Sequence, residues 1–220
     1  MAQPKILTPL QFEFLNIFFQ QPVGQKFFLT GGTALAEYYL QHRYSQDVDL
    51  FTLDAEAFDW AGASMPGIAA NLNAQFEVRV QTITFHQVFL RVAGQDDLKI
   101  DLVRDVGPQF GEHLHAGHII VDSELNIAVN KVTALFGRAA MKDFVDLFFV
   151  LQKGYDLDQL VSFAKQKDPG FSEFYFANML RYHQRINSLP SLLKPLSLDE
   201  FHGFFETLAR QVILKTKPPQ

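Results

Sequence analysis

The sequence predicts an α+β fold: a mixed β-sheet core with flanking helices, followed by a helical C-terminal region. Three observations carry that prediction. Short apolar or alternating runs typical of strands are interleaved with helical patterns up to about residue 121. Beyond that point apolar residues recur at helical spacing, as in ELNIAVNKVTALFGR and MKDFVDLFFVLQKG. With 48% hydrophobic residues in a chain of 220, there is enough apolar surface for one sizeable core, or for a domain with a smaller helical appendage. The expected division is an α/β core over residues 1–121 and a helical region over residues 122–220, packed on that core.

Thr8-Pro9 opens the first expected helix, with Thr8 as N-cap and Pro9 at the first helical position, and LQFEFLNIFFQQ ends near Gln21-Pro22. Phe27-Phe28-Leu29 is wholly apolar and reads as a buried strand stopped by Gly31-Gly32. A helical pattern runs from Thr33 to His42, and Val48 to Thr52 reads as a second strand. The segment Ala55 to Gln75 is weakly helical, and Gly62, Pro66 and Gly67 are expected to break it. FEVRVQTITF, HQVFLRVAG and LKIDLV then predict antiparallel strands joined by tight turns, one of them at Gly94-Gln95-Asp96. Arg104 to His118 reads as a loop. Ser123 can cap the next helix and Gly154 can end the one after it, with further helices expected at 157–166, 172–187 and 198–214.

The formal charge of −5, from 24 acids and 19 bases, gives no sequence-wide basic field of the kind that advertises nucleic acid. There are no cysteines, which excludes a disulfide framework and thiolate metal ligands. The opening MAQPKILTPLQFEFL lacks the pattern of a secretory leader, and no apolar run reaches bilayer-spanning length, so no membrane partner is expected and the cytoplasm is the expected compartment.

The chemistry concentrates in FFLTGGTALAEYYLQHRYSQDVDLFT. Side chains alternate faces along a strand, so Asp47 and Asp49 project to one side with Val48 turned away. Two carboxylates held that closely repel each other unless a cation sits between them, and hard oxygen ligands suit Mg²⁺ or Mn²⁺. By themselves, two such acids are more often the solvated face of an edge strand. Gly31-Gly32 before a helix adds a place where backbone N–H groups can receive a phosphate, although the turn is neither a Walker P-loop nor a dinucleotide-binding turn. In LKIDLV, Asp101 shares a strand face with Lys99. Three carboxylates can hold two divalent ions for phosphoryl or nucleotidyl transfer.

The spaced motifs T-G-G-T-A-L, H-R-Y-S-Q-D-V-D-L-F, I-D-L, N-K-V-T-A-L-F-G-R and K-D-F-V-D-L, in that order over residues 27 to about 152, resemble the AbiEii/AbiGii toxin family of nucleotidyltransferases, a branch of the DNA polymerase β-like superfamily. The resemblance implies a nucleotidyltransferase-type core and a reaction in which a nucleoside triphosphate donates its nucleotide to an RNA, such as tRNA, or to a protein hydroxyl. It also implies a bacterial or archaeal source and an antitoxin encoded nearby. Gly31, Gly32 and Thr33 match the phosphate-contacting motif, Asp47 and Asp49 the first two metal-binding acids, and Asp101 the third. Arg43 and Ser45 match the Arg-x-Ser/Thr that precedes the acids. Arg43 is open to two roles, phosphate contact or internal salt bridge. Lys131 matches a triphosphate lysine. Asp143 and Asp146, three residues apart on one helical face, match a motif that either orients that lysine or contacts nucleotide.

Other readings stay open at this level: a nucleotide- or protein-binding module without turnover on the same fold, and, less favoured by the motifs, a phosphohydrolase. His113, His115 and His118 read as an ordinary polar loop rather than a zinc site, which would want four close ligands. Arg181 and Arg185, at i and i+4 of an expected helix, would share a face that could touch RNA but is more simply solvated. The 23 phenylalanines are expected mostly in the core, with Phe201, Phe204 and Phe205 also candidates for a dimer surface.

Overall fold

A computed structural model describes residues 6–216. Residues 1–5, part of the opening stretch read for a leader, lie outside them. The chain divides into two compact units, Met1–Val106 with Phe110–Ser123, and Gly107–Gln109 with Glu124–Gln220.

The first unit is built on a seven-stranded mixed sheet in the order β3-β4-β5-β2-β1-β7-β6. Helix α1 (Pro9–Gln20) starts at Thr8 with a full capping box: the Thr8 hydroxyl accepts from the Gln11 backbone N–H, and the Gln11 side chain accepts from the Thr8 backbone N–H. Its buried stripe of Phe14, Leu15, Phe18 and Phe19 supplies much of the core. Strand β1 (Phe28–Thr30) is buried on both faces and enters a helical run at Gly31, first α-helical (α2, Gly31–Ala34), then π-helical (Leu35–Leu40). Gln41 ends this run in the left-handed conformation, φ 51°. The sequence pattern gave the helix but not the π geometry, which leaves no mark on apolar spacing at this length.

Strand β2 (Val48–Thr52) pairs antiparallel with β1 and parallel with β5 (Leu98–Arg104). Helix α3 (Ala55–Asn71) links β2 to the meander β3 (Gln75–Gln81), β4 (Phe85–Arg91) and β5, which is antiparallel throughout. The break expected in α3 does not occur, because one helix runs through Pro66. Its buried side, Phe58, Ala61, Met65 and Ile68, packs as one stripe, and that burial outweighs the local cost of a helical proline, ~3 kcal/mol. The expected loop 104–118 also contains structure. Strands β6 (Leu114–Ala116) and β7 (Ile119–Val121) form a hairpin around Gly117, with β7 parallel to β1. Strands this short carry too few residues for alternation to register in sequence.

The second unit is helical. Helix α4 (Glu124–Gly137) contacts α5 (Met141–Gln152), α6 (Leu157–Lys167) and α7 (Glu173–Leu180), and α7 packs on α8 (Leu198–Thr216). Asn126 Nδ2 donates to Gln109 Oε1 at 2.7 Å, tying Gly107–Gln109 to this unit. Phe201 and Phe205 are buried against Phe144, with the Phe144 and Phe205 rings edge to face at 4.9 Å. The helix expected over 172–187 instead ends its α-helical part at Leu180 and continues as a 3₁₀ turn, Arg181–Arg185. At three residues per turn Arg181 and Arg185 do not share the face expected of them at i and i+4 of an α-helix.

Gln11 joins the first helix to the loop before β2. Its side-chain amide donates to the carbonyls of Ser45 and Gln46, each at 3.0 Å, while its oxygen holds the Thr8 N–H at 2.8 Å. Replacing Gln11 with Ala is expected to lower unfolding free energy by about 1–3 kcal/mol, the cost of leaving such groups without their partner. Urea denaturation of the two proteins measures the difference.

Candidate active site

Strand pairing brings the acids singled out in the sequence onto one sheet face. Thr30 pairs with Asp49 across β1 and β2, and Asp49 pairs with Asp101 across β2 and β5. Their neighbours Val48, Leu50, Ile100 and Leu102 are buried on the opposite face, so apolar packing forces the carboxylates outward. Gln87, opposite Asp101 on β4, donates from Nε2 to Asp101 Oδ1 at 3.0 Å.

The glycine turn stands directly beside these acids. Gly31 has φ +69°, and a Cβ there would collide with the Asp49 carboxylate. Only glycine meets both conditions without strain. Thr30, the N-cap position of α2, makes no side-chain cap; its hydroxyl instead donates to buried Asp122 at 2.6 Å. The Thr30 side chain is therefore drawn away from the start of the helical run, where N–H groups can receive an anion. A Cβ on Gly32 would meet the Arg43 guanidinium and lie 3.2 Å from Ser45 Oγ, so Arg43 and Ser45 pack directly under the turn. Arg43 is 1% exposed and donates from Nη1 to the Tyr44 carbonyl at 2.9 Å. The Thr33 hydroxyl donates to the Asp47 carbonyl, which couples the turn to the residue that precedes β2.

One cation already lies among the acids. Lys99 Nζ is 3.2 Å from Asp47 Oδ2 and 3.2 Å from Asp101 Oδ2. Partial burial works against the ammonium, but Asp101 and Asp47 outweigh it and leave the Lys99 pKa raised. Among the described residues no group of three or more His, Cys, Asp or Glu side chains is arranged to hold a metal ion. The donor chemistry nevertheless suits a hard divalent cation: carboxylates from adjacent strands share a face, and a positive group stands between two of them.

In the second unit Lys131, Asp143 and Asp146 form a buried charge cluster. Lys131 Nζ lies 2.8 Å from Asp143 Oδ1 and 2.7 Å from Asp146 Oδ2, and Arg138 Nε reaches Asp143 Oδ2 at 3.1 Å. Asp143 and Asp146 are 2% and 0% exposed. Burial disfavours the Lys131 ammonium, yet Asp146 and Asp143 overcome it and raise its pKa.

Sequence reasoning placed Lys99 on the Asp101 face but gave it no role, and it missed Gln87 and Gln11. The alternation of LKIDLV already showed that Lys99 accompanies Asp101. Nothing short of strand register showed that it also reaches Asp47. Of the loop histidines, the His113 ring packs against Phe28 with centroids 4.6 Å apart.

A mixed sheet with helices on it, a glycine turn beside paired strand acids and a helical C-terminal unit define the nucleotidyltransferase fold. Solved structures share it, among them the following two. MenT4, a nucleotidyltransferase toxin of Mycobacterium tuberculosis H37Rv, superposes with TM-score 0.60 at 14% identity, covering 93% of this chain and 82% of its own. JHP933 of Helicobacter pylori superposes with TM-score 0.58 at 16% identity, covering 92% and 90%. The chain belongs to the nucleotidyl transferase AbiEii toxin family, type IV TA system, whose family model matches residues 13–214. It is also 30% identical over 152 residues to the uncharacterized protein aq_aa25 of Aquifex aeolicus (strain VF5), spanning 66% of that relative's length.

The Lys131 cluster generates a stability prediction. Lys131→Met leaves two buried carboxylates without their ammonium and is expected to cost about 3–5 kcal/mol at neutral pH. In the variant a carboxyl is expected to stay protonated in the folded state to higher pH than in the unfolded chain. The folded state then binds more protons, so the deficit should shrink as pH falls from about 7 towards 5. In the wild type, the contribution of Lys131 is present below its ordinary pKa of 10.5 and is lost as pH rises through the higher folded value. Denaturant titrations of the variant between about pH 5 and 7, and of the wild type as pH rises beyond 10.5, check the two trends.

Proposed function

We propose that the chain is a metal-dependent nucleotidyltransferase that moves a nucleotide from a nucleoside triphosphate to a hydroxyl of an RNA (tRNA-like) or of a protein, as the toxin of a bacterial toxin–antitoxin or phage-abortive-infection system. The observation that carries this reading is the register Thr30–Asp49–Asp101 over three neighbouring strands, which places a glycine turn and the acids side by side. Family membership and the MenT4 likeness support the reaction class.

Asp47, Asp49 and Asp101 are assigned as the acids that hold Mg²⁺ or Mn²⁺. When bound, such an ion neutralises triphosphate oxygens and orients them for in-line displacement. The backbone at Gly31, Gly32 and Thr33 receives phosphate oxygens, where the absence of a Cβ permits close approach. Arg43 and Ser45, packed under that turn, fix its shape and add a guanidinium beside the phosphates. Asp101 accepts the proton of the acceptor hydroxyl. That oxygen bonds to the α-phosphorus, the bond from the α-phosphorus to the bridging oxygen breaks, and pyrophosphate leaves. Asp143 and Asp146 hold the Lys131 ammonium, and the three are assigned to nucleotide binding from the family motif they match.

A cytoplasmic setting with an antitoxin partner accords with this role. Among the described residues no helix is long and apolar enough to cross a membrane.

Incubation with each of the four α-labelled nucleoside triphosphates, total tRNA and cell protein should label an acceptor and release pyrophosphate. Asp49→Asn and Asp101→Asn should each reduce labelling about 10²-fold or more, since several kcal/mol of charge stabilisation are removed at 1.36 kcal/mol per decade. Unchanged labelling in either variant would refute the assignment. Nucleotide binding without any transfer would point to a module that does not turn over.

A further inference from the structure

Lys99 stands where a divalent ion would have to bind, and the backbone puts it there. It precedes Asp101 by two residues on β5 and so shares its face, and it lies one step before the Val48–Ile100 pair, opposite Asp47. Its Nζ bridges Asp47 Oδ2 and Asp101 Oδ2, 3.2 Å from each, with the lysine side chain 27% exposed. A metal ion coordinated by those same oxygens would sit about 2.0–2.1 Å from them. Ammonium and metal cannot both fit.

We propose that Lys99 is a built-in counter-ion that competes with the divalent cation for Asp47 and Asp101. The inference rests on the reading of those acids as metal ligands. In the absence of metal the ammonium relieves repulsion between the two carboxylates, and so preserves the strand pairing that keeps them adjacent. For metal to enter, the ammonium withdraws on its flexible four-carbon stem. That stem keeps the displaced charge close to the site, where an arriving triphosphate offers it new oxygens. Metal affinity in the nucleotide-free protein is thereby held down, and the ammonium is handed from carboxylate to phosphate as the site fills. A lysine that only ties two strands together would behave differently, because its removal would leave the acids no better at binding metal.

Mn²⁺ binding to the full chain without nucleotide, followed by the electron paramagnetic resonance signal of free Mn²⁺, separates these roles. Lys99→Met and Lys99→Gln should both bind Mn²⁺ about tenfold more tightly than wild type, with circular dichroism confirming the fold. Affinity equal to or weaker than wild type, absence of Mn²⁺ binding in all three proteins, or unfolding of both variants would overturn the inference. Asp47→Asn and Asp49→Asn locate the failure. If they abolish Mn²⁺ binding while Lys99→Met leaves it unchanged, the acids are ligands and Lys99 is not their competitor. If they leave binding unchanged, the metal-ligand reading itself fails, and the role of Lys99 fails with it.

Discussion

Crowding of carboxylates on one face of a central strand pair is the constraint around which the first unit is arranged. Asp49 and Asp101 are register partners on adjacent parallel strands, and Asp47 lies one alternation away on the same side. Unlike a solvated row of acids, these residues sit in the middle of the sheet, on strands whose other faces are buried. The acids cannot rotate out of the cluster without dragging Val48, Leu50, Ile100 and Leu102 from the core. Each neighbouring feature answers that crowding. Lys99 supplies a positive charge, Gln87 a donor, and Gly31 the empty space beside the Asp49 carboxylate.

A similar motif, one ammonium between two carboxylates, recurs in the helical unit with a different physical character. Lys131, Asp143 and Asp146 are nearly removed from water, whereas Lys99 and Asp47 keep substantial exposure. In a buried cluster desolvation is large and loss of one partner strands the others, so the arrangement is rigid and its members act together. A half-exposed pair is screened by solvent and its net worth is small. The buried lysine is therefore suited to being held in one position, and the half-exposed one to being exchanged.

How much of this was legible in the sequence follows from what each feature depends on. Thr8 and Pro9 announced the first helix because a helix start is a local affair, while the part of Gln11 in the cap and in the loop before β2 came only with the structure. The acids and the glycine turn were legible through alternation and through the order of motifs. Lys99 was visible as a neighbour of Asp101, but its contact with Asp47 depends on how two distant strands align, and local pattern does not encode register. Helix α3 was misread for the complementary reason. Gly62 and Pro66 are local signals of a break, and a buried stripe formed by tertiary contact overrode them. The hairpin at Leu114–Val121 is set by pairing with β1, again beyond the reach of a three-residue window.

Gly62 shows how the same reasoning works at a position outside the candidate site. A Cβ there would lie 2.9 Å from the His86 Nδ1, so the residue that weakens α3 as a helix former also lets the helix lie close over β4. Local propensity and tertiary approach are in conflict at that residue, and close packing decides it. At Gly31 the two agree: the left-handed backbone and the clash with Asp49 both demand glycine. A substitution at Gly31 therefore affects the path of the chain and the position of a carboxylate together. That coupling joins the glycine turn to the acids by a physical contact, which sequence spacing alone could only suggest.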